Sequence, residues 1–385
     1  MKRVLFAGAA LTAAILAAGS ANAQDTVKVG IISAYSGQFA DTATQIDNGI
    51  KLYMKQHGDT VAGKKIEIIR KDTGGPNPDV AKRLAQELIV RDSADILAGF
   101  TLTPEALGAA DIATEGKKLM VDMNAATGIV TAKSPYIVRT SFTINQVADT
   151  LGTWAARKGG MKKVYTMVSD FGPGIDAEKF FQSAFKAAGG EVVGSVRMPV
   201  ANPDFSAFVQ RAKDLDPESI FVFVPGGAQP GAIGKAFAER GMDPSKIKIM
   251  STGEAVDETA IKSLGELSVG RISAWHYDYN LKGKTNEDFV KAFNDEFKRN
   301  PDFFAVGGYD GMHLIYETLK KTGGNADGDS LIAAAKGMKW TSPRGPVAID
   351  DKREMVQNIY IRKVQKVGSN FVNVEFDTVK DVSAK

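Results

Sequence analysis

The chain has 385 residues, of which 44% are hydrophobic and 24% charged, with a formal net charge of +3 and no cysteine. That length accommodates two domains whose cores are large enough to need no covalent staple. The lack of cysteine excludes thiol catalysis and cysteine-type metal sites, and the near-neutral balance argues against nucleic acid or anionic lipid as a partner.

Met1-Lys2-Arg3 is a basic start, Val4 to Ala18 an apolar run, and Ala21-Asn22-Ala23 a small-x-small motif. Together they read as a secretory signal with cleavage expected after Ala23, leaving a mature chain of net charge +1. No cysteine follows the cleavage motif, so a lipid anchor is not expected. No later run is long and apolar enough to predict a membrane span.

Thr26–Ile32 predicts a strand, followed by the loop Ser33–Phe39 and a helix from about Thr42 to Gln56 with Ile46, Ile50, Tyr53 and Met54 on one face. Lys64–Arg70 is a second strand and Asp79–Arg91 a second helix. Asp95–Ala98 then reads as a buried strand, Gly99 as a tight turn, and Phe100-Thr101-Leu102-Thr103 as a polar loop opening a helix. Thr103 is expected at the N-cap, with Pro104 in the first helical position and Glu105 in the first turn. Hydroxyls and free N–H groups at such a helix start suit a carboxylate, although capping alone would also explain Thr103. A strand at Lys118–Asp122, the loop Met123–Thr127 and a strand at Tyr136–Arg139 complete this block.

A second block repeats the alternation. Strands are expected at Lys163–Val168, Glu191–Arg197, Ser219–Val224, Lys246–Met250 and Arg271–Trp275, with helices between them. The chain is expected to be helical from Asn286 to about Lys336, and Gly345–Ile349, Gln357–Lys366 and Phe371–Phe376 read as antiparallel strands. Strands alternating with helices predict doubly wound α/β units, which bind ligands outside the carboxyl ends of their strands.

Enzyme motifs fail in context. Gly283-Lys284-Thr285 lacks the leading glycine of a phosphate loop, Ser36 lacks the glycines of a nucleophile elbow, and His57, His276 and His313 form no metal-ligand pair. Neither catalysis, a cofactor nor a metal is expected. Arg139 could meet a carboxylate ligand or form a salt bridge at the base of its sheet, and His276 reads as a structural histidine sooner than a ligand donor.

VGIISAYSG (29–37), DNGIKLYM (47–54), AGFTLTPEA (98–106), YIVRTSFT (136–143), SDFGPG (169–174), STGE (251–254) and GGYDGMHLI (307–315) occur in an order that resembles one family. It is that of type I, leucine/isoleucine/valine-binding-protein-like periplasmic solute-binding proteins of ABC importers. The resemblance implies a monomeric periplasmic receptor that hands its solute to a membrane permease. It also implies two lobes, 25–141 with 278–338 and 142–277 with 339–385, joined by a three-crossing hinge. It assigns a carboxylate site to Thr101, Leu102, Thr103, Ala125, Ala126 and Thr127. Aromatic contacts fall to Tyr35 and Phe171, an ammonium partner to Glu254, and Gly227 belongs to the facing loop.

Phe171 stands where the amino-acid binders carry tyrosine, which makes the pocket more apolar. With Phe39, Phe100, Trp275 and Tyr277 as further candidate walls, the reading favours a planar aromatic carboxylate of the benzoate or phenylpropanoid type. Glu254 argues for the alternative, a branched-chain or other hydrophobic amino acid. A soluble ligand-binding subunit of a membrane sensor is the other reading of the same fold.

Overall fold

The computed structural model describes residues 25–385 apart from positions 202, 243 and 245. The expected secretory signal and its cleavage after Ala23 lie outside the described residues. The first block comprises β1 (Thr26–Ser33), α1 (Ala40–His57), β2 (Thr60–Val61), β3 (Lys64–Asp72), α2 (Pro78–Val90), β4 (Ile96–Gly99), α3 (Thr103–Glu115), β5 (Leu119–Asp122), α4 (Ile129–Ala132) and β6 (Ile137–Arg139). The second comprises α5 (Ile144–Arg157), β7 (Lys163–Ser169), α6 (Gly172–Ala187), β8 (Glu191–Met198), α7 (Phe205–Asp214), β9 (Ser219–Phe223), α8 (Gln229–Glu239), β10 (Lys248–Thr252), α9 (Glu258–Leu264) and β11 (Ile272–Trp275). The remainder is α10 (Lys284–Phe297), α11 (Phe303–Lys321), α12 (Gly328–Ala335), β12 (Lys339–Ser342), β13 (Gly345–Ile349), β14 (Met355–Val367) and β15 (Asn370–Val382).

These strands form two sheets. The first runs β2-β3-β1-β4-β5-β6 and is parallel except at β2, which pairs antiparallel with β3. The second runs β12-β13-β14-β11-β10-β9-β7-β8 with β15 beside β14; β7 to β11 are parallel and β12 to β15 antiparallel. The doubly wound α/β architecture expected from the strand–helix alternation is therefore present twice. The long helical stretch is three helices rather than one. Lys298 adopts a left-handed φ of +56° at the end of α10, and Asp302 caps the next helix. Gly323 and Gly324, both at positive φ, end α11.

The chain passes between the sheets three times. After β6 it enters α5, which packs on α6. After β11 it returns to α10 and α11, which pack against α1, and after α12 it leaves for β12. Two buried arginines hold the crossings. Arg344 pairs with Asp310 at 2.7 Å and donates to the carbonyls of Thr140 and Ser141, each at 3.0 Å. Arg362 pairs with Asp278 at 3.0 Å and donates to the Tyr277 carbonyl at 2.8 Å.

α1 and α11 approach more closely than ordinary side chains permit. A Cβ on Gly49 would lie 2.0 Å from the Ala305 carbonyl oxygen, and one on Gly308 would lie 2.1 Å from that of Ile46. Alanine in a helix interior gains about 1 kcal/mol of intrinsic propensity over glycine. Here the obstacle is backbone, which cannot rotate aside. Gly308→Ala is therefore expected to destabilise the protein by about 1–3 kcal/mol, the range for overpacking, read as a lower urea midpoint.

Between the sheets, Asp257 caps α9 by accepting from the Ala260 N–H at 2.7 Å. Asp302 caps α11 by accepting from Phe304 N–H at 2.9 Å and Ala305 N–H at 3.1 Å. With Asp278 and Arg362 they border a small cavity. Burial raises Asp257 to about 7 and Asp302 to about 8, from an ordinary 3.8. A folded value above the unfolded one means the folded chain keeps protons that the unfolded chain has released. That contribution is full below the unfolded value and is lost as pH rises through the folded one. Stability is expected to fall between pH 5 and pH 8. Asp302→Asn, which keeps the cap acceptor, should flatten the fall by up to one proton, about 1.4 kcal/mol per pH unit; urea titrations across that range measure it. An unchanged slope would remove Asp302 from the account.

Candidate ligand-binding site

The first sheet reverses its winding between β1 and β4, and the second between β7 and β9. The loops at those points open outside the carboxyl ends of the strands, where an α/β sheet leaves a crevice. A narrow cleft lies where the two sets of loops face each other. It is bordered by Phe39, Thr42, Thr101, Leu102, Thr103, Asn124, Ala125, Ala126 and Phe304 on the side of the first sheet. Phe171, Pro173, Phe223, Pro225, Gly226 and Glu254 border it on the side of the second.

The loop after β4 is shaped by an unusual backbone. Gly99 has φ +102°, and a Cβ there would lie 2.6 Å from the Ile32 carbonyl oxygen. Phe100 follows at φ +68°, donates its N–H to the Ile32 carbonyl and accepts from Ala125 N–H at 3.1 Å. This turn sends the Phe100 ring into the core with Ala106 and Ala125, fully buried. The expected wall residue is thus a peg beneath the site, and Thr101 to Thr103 are brought to its rim. Thr101 Oγ1 accepts from Ala34 N–H at 3.2 Å, and its carbonyl accepts from Asn124 Nδ2 at 2.7 Å.

Thr103 is the first residue of α3 rather than its cap. Leu102 occupies the N-cap position, and Glu105 reaches back to accept from its N–H at 3.1 Å. The Thr103 hydroxyl is therefore free of capping. It lies 3.1 Å from Thr127 Oγ1 and accepts weakly from Thr127 N–H at 3.4 Å. Glu105 is buried, accepts from Thr73 Oγ1 at 2.6 Å, and is raised by burial to about 8. Its contribution is structural and not that of a surface charge on the helix dipole.

Arg139 is wholly buried behind the loop that follows β5. It donates to the carbonyls of Ala125 at 2.7 Å, Thr127 at 2.9 Å and Phe142 at 3.1 Å. Its Nε lies 2.9 Å from Glu354 and 3.7 Å from Asp122. Arg139 accordingly forms the salt bridge and not the ligand contact. Drawing the Ala125 carbonyl backward turns the next amide, Ala126 N–H, the opposite way, because C=O and N–H of a trans peptide are antiparallel.

The walls are phenyl rings. Phe171 caps α6, and its ring centroid lies 6.1 Å from that of Phe223 at the end of β9. Phe304 reaches the cleft from α11, and a Cβ on Gly226 would lie 2.8 Å from its Cζ, so glycine makes room for the ring. Gly172 packs against the threonine pair, its would-be Cβ 3.0 Å from Thr127 Oγ1.

Of the residues expected at the site, Phe39, Thr101, Leu102, Thr103, Ala125, Ala126, Phe171 and Glu254 border one cleft. Thr127 stands one layer behind, on Thr103. Gly227 lies at the seam, where its φ of +98° and the Gln38 carbonyl, 2.6 Å from a would-be Cβ, demand glycine. Tyr35 is half-buried beside Asp47 and Arg70, away from the lining. Tyr277 and Trp275 line the separate cavity with Asp302 and Arg362. His276 is fully buried and stacked on Phe142, with ring centroids 4.6 Å apart, and burial pushes its imidazole well below the ordinary value. Thr42, Asn124, Pro173, Phe223, Pro225, Gly226 and Phe304 were not expected. Most flank a loop that was, whereas Phe304 comes from a helix start far along the chain.

Glu254 follows β10 and is 6% exposed, and its Oε2 has no hydrogen-bond partner among the described residues. Burial, reinforced by nearby Asp257, raises its carboxyl well above the usual range.

The periplasmic binding protein family model matches residues 26–369. A Leu/Ile/Val-binding protein homolog of Brucella abortus is 42% identical over 374 residues, covering 96% of this chain and 95% of that one. A solute-binding protein of an ABC transporter from Rhodopseudomonas palustris BisB5, solved with 3,4-dihydroxybenzoic acid, is 54% identical with a TM-score of 0.90, covering 93% of this chain and 98% of that one. A second R. palustris solute-binding protein, solved with 4-hydroxybenzoate, is 41% identical with the same TM-score and the same coverage. The chain belongs to the periplasmic binding protein family, on its leucine/isoleucine/valine-binding-like side.

Proposed function

We propose that this chain is the exported, non-catalytic solute receptor of an ABC importer, released after Ala23, and that its solute is an aromatic carboxylate of the benzoate type. The observation that carries this reading is the lining itself. Phe39, Phe171, Phe223 and Phe304 surround a space whose polar rim is made of the Thr101–Thr103 and Asn124–Ala126 loops. Flat apolar walls suit a ring, and hydroxyls with backbone N–H groups at a helix start suit its carboxylate. The two R. palustris proteins, solved with hydroxylated benzoates, support the same choice over leucine or valine.

Each charge-assisted hydrogen bond to a carboxylate contributes about 1.5–3 kcal/mol, and burying a phenyl ring a similar amount. The anion pole and the ring walls thus share the affinity, and only the walls choose between ring and aliphatic chain. Residues 25–141 with 278–338 form one lobe and 142–277 with 339–385 the other. The lobes close about the three crossings, because a solute touching both favours the closed form, which a membrane permease then receives.

A thermal-shift panel of benzoates, phenylpropanoid acids, leucine and valine on solute-stripped protein tests the ligand class. A ligand at 100 times its Kd adds about 2.7 kcal/mol of stability, several degrees in Tm. Shifts with the aromatic acids and none with leucine are expected; the reverse restores the amino-acid reading. Thr103→Val, which keeps the shape but removes the hydroxyl, should weaken binding of the aromatic acid by about tenfold in calorimetry, corresponding to one lost hydrogen bond. The same change leaves the cap of α3 intact, because Leu102 and Glu105 make it, but removes the partner of Thr127, so Tm of the solute-free protein should fall by about 2–4 °C.

A further inference from the structure

Two buried polar atoms of the cleft lining, Glu254 Oε2 and Asn124 Oδ1, have no hydrogen-bond partner among the described residues; Asn124 belongs to the carboxylate rim, and Glu254 faces it from the other sheet. Glu254 enters from the second sheet, opposite the Thr101–Thr103 rim of the first, and its buried Oε2 is unpartnered among the described residues. Among the described residues, no lysine or arginine borders the cleft to neutralise it. Asp257, of the same sign, acts on it as well. Leaving a buried polar atom unpaired is costly, and one that borders a cleft is placed to be completed by what enters it.

We propose that Glu254 hydrogen-bonds a ring hydroxyl of the solute, and so selects hydroxylated benzoates over benzoate itself and over amino acids. This rests on the aromatic-acid reading above and adds the substituent that the site demands. Burial and Asp257 both favour the uncharged carboxyl, which offers one O–H donor as well as acceptor lone pairs. A phenol hydroxyl has the same two capacities, so the pair satisfy each other in either direction. An ammonium has donors only, so it would answer the acceptor lone pairs of the uncharged carboxyl and leave its O–H unanswered. Benzoate would fill the same space and leave Oε2 as unpartnered as before.

Calorimetry on solute-stripped protein with benzoate, 3-hydroxybenzoate, 4-hydroxybenzoate and leucine tests this. At least one hydroxybenzoate should bind about tenfold to a hundredfold more tightly than benzoate, the penalty for an unpaired buried polar group. In Glu254→Leu that ratio should collapse to about one, and in Glu254→Gln, which keeps a neutral acceptor and donor, it should persist within about threefold. A crystal structure of the wild-type complex, which needs no variant to fold, should place the ring hydroxyl about 2.5–3.0 Å from a Glu254 carboxyl oxygen. Equal affinity for benzoate and both hydroxybenzoates, a ratio that survives Glu254→Leu, or a ring hydroxyl directed elsewhere overturns the role of Glu254 and leaves the aromatic-acid reading standing. Leucine binding with all three benzoates silent, or silence from all four, overturns the underlying reading as well.

Discussion

Arg139 is a fully buried cation, and a guanidinium is tolerated in such a place only when its charge is paired and its N–H groups find acceptors, as both of its terminal nitrogens do here. The answers come from three directions. Ala125 and Thr127 supply carbonyls from the loop after β5, Phe142 supplies one from the first crossing, and Glu354 supplies charge from the turn before β14. Meeting the demands of this one side chain therefore fixes the rim of the cleft, the path by which the chain leaves the first sheet, and the contact of that sheet with the second. The turn is fastened further by Arg353, which donates to the carbonyls of Ile137 at 2.9 Å and Thr131 at 2.8 Å. Replacing Arg139 by an apolar residue would leave Glu354, three carbonyls and Asp122 without their partner. The cost of breaking such a buried pair is about 3–5 kcal/mol, larger than any single ligand contact considered above.

With the rim held from behind, the front of the loop is released to face the cleft. The same division recurs around the site. Phe100 anchors below so that Thr101 stands above, Leu102 and Glu105 cap α3 so that the Thr103 hydroxyl is spare, and Gly226 is bare so that Phe304 fits. In each case one residue absorbs a structural requirement and its neighbour is left with an unspent hydrogen bond or ring face. A site whose supports are separate from its contacts is rigid before the ligand arrives, which lowers the ordering cost of binding.

Much of this was legible in the sequence because it follows local rules. Alternating strands and helices indicated the doubly wound class with its ligand loops at strand carboxyl ends, and the family resemblance of those loops picked out most of the eight expected residues that border the cleft. The failures share a physical cause, the direction of side chains. Phe100 looked like a wall because it sits in the right loop, but a φ of +68° turns it into the core. Tyr277 and Trp275 follow the right kind of strand, yet their rings lie in the neighbouring cavity between the crossings. Thr103 was expected at the cap, and the reach of Glu105 back to Leu102 shifts the helix start by one residue. Phe304 carried no local signal, since only the return of α11 against α1 brings it to the site.

The seam between the sheets sets the conditions under which a solute is needed. Glu254 in the cleft and Asp257 and Asp302 beside it are all buried acids raised by desolvation. Asp257 and Asp302 are each partly compensated by the helix N-terminus they cap, where N–H groups and the dipole favour a carboxylate. Glu254 has no such compensation, and in the proposed closing motion it is the acid whose desolvation is not repaid among the described residues. Closing an empty cleft would strip water from Glu254 and from the phenyl walls' polar rim with nothing in return. Closing on a hydroxylated ring replaces both. The free-energy difference between those two closures, and not the affinity of either lobe alone, is what shifts the population from open to closed. A carboxylate with no second polar group answers only the rim, so it is expected to bind the first lobe while leaving part of the cost of closure unmet.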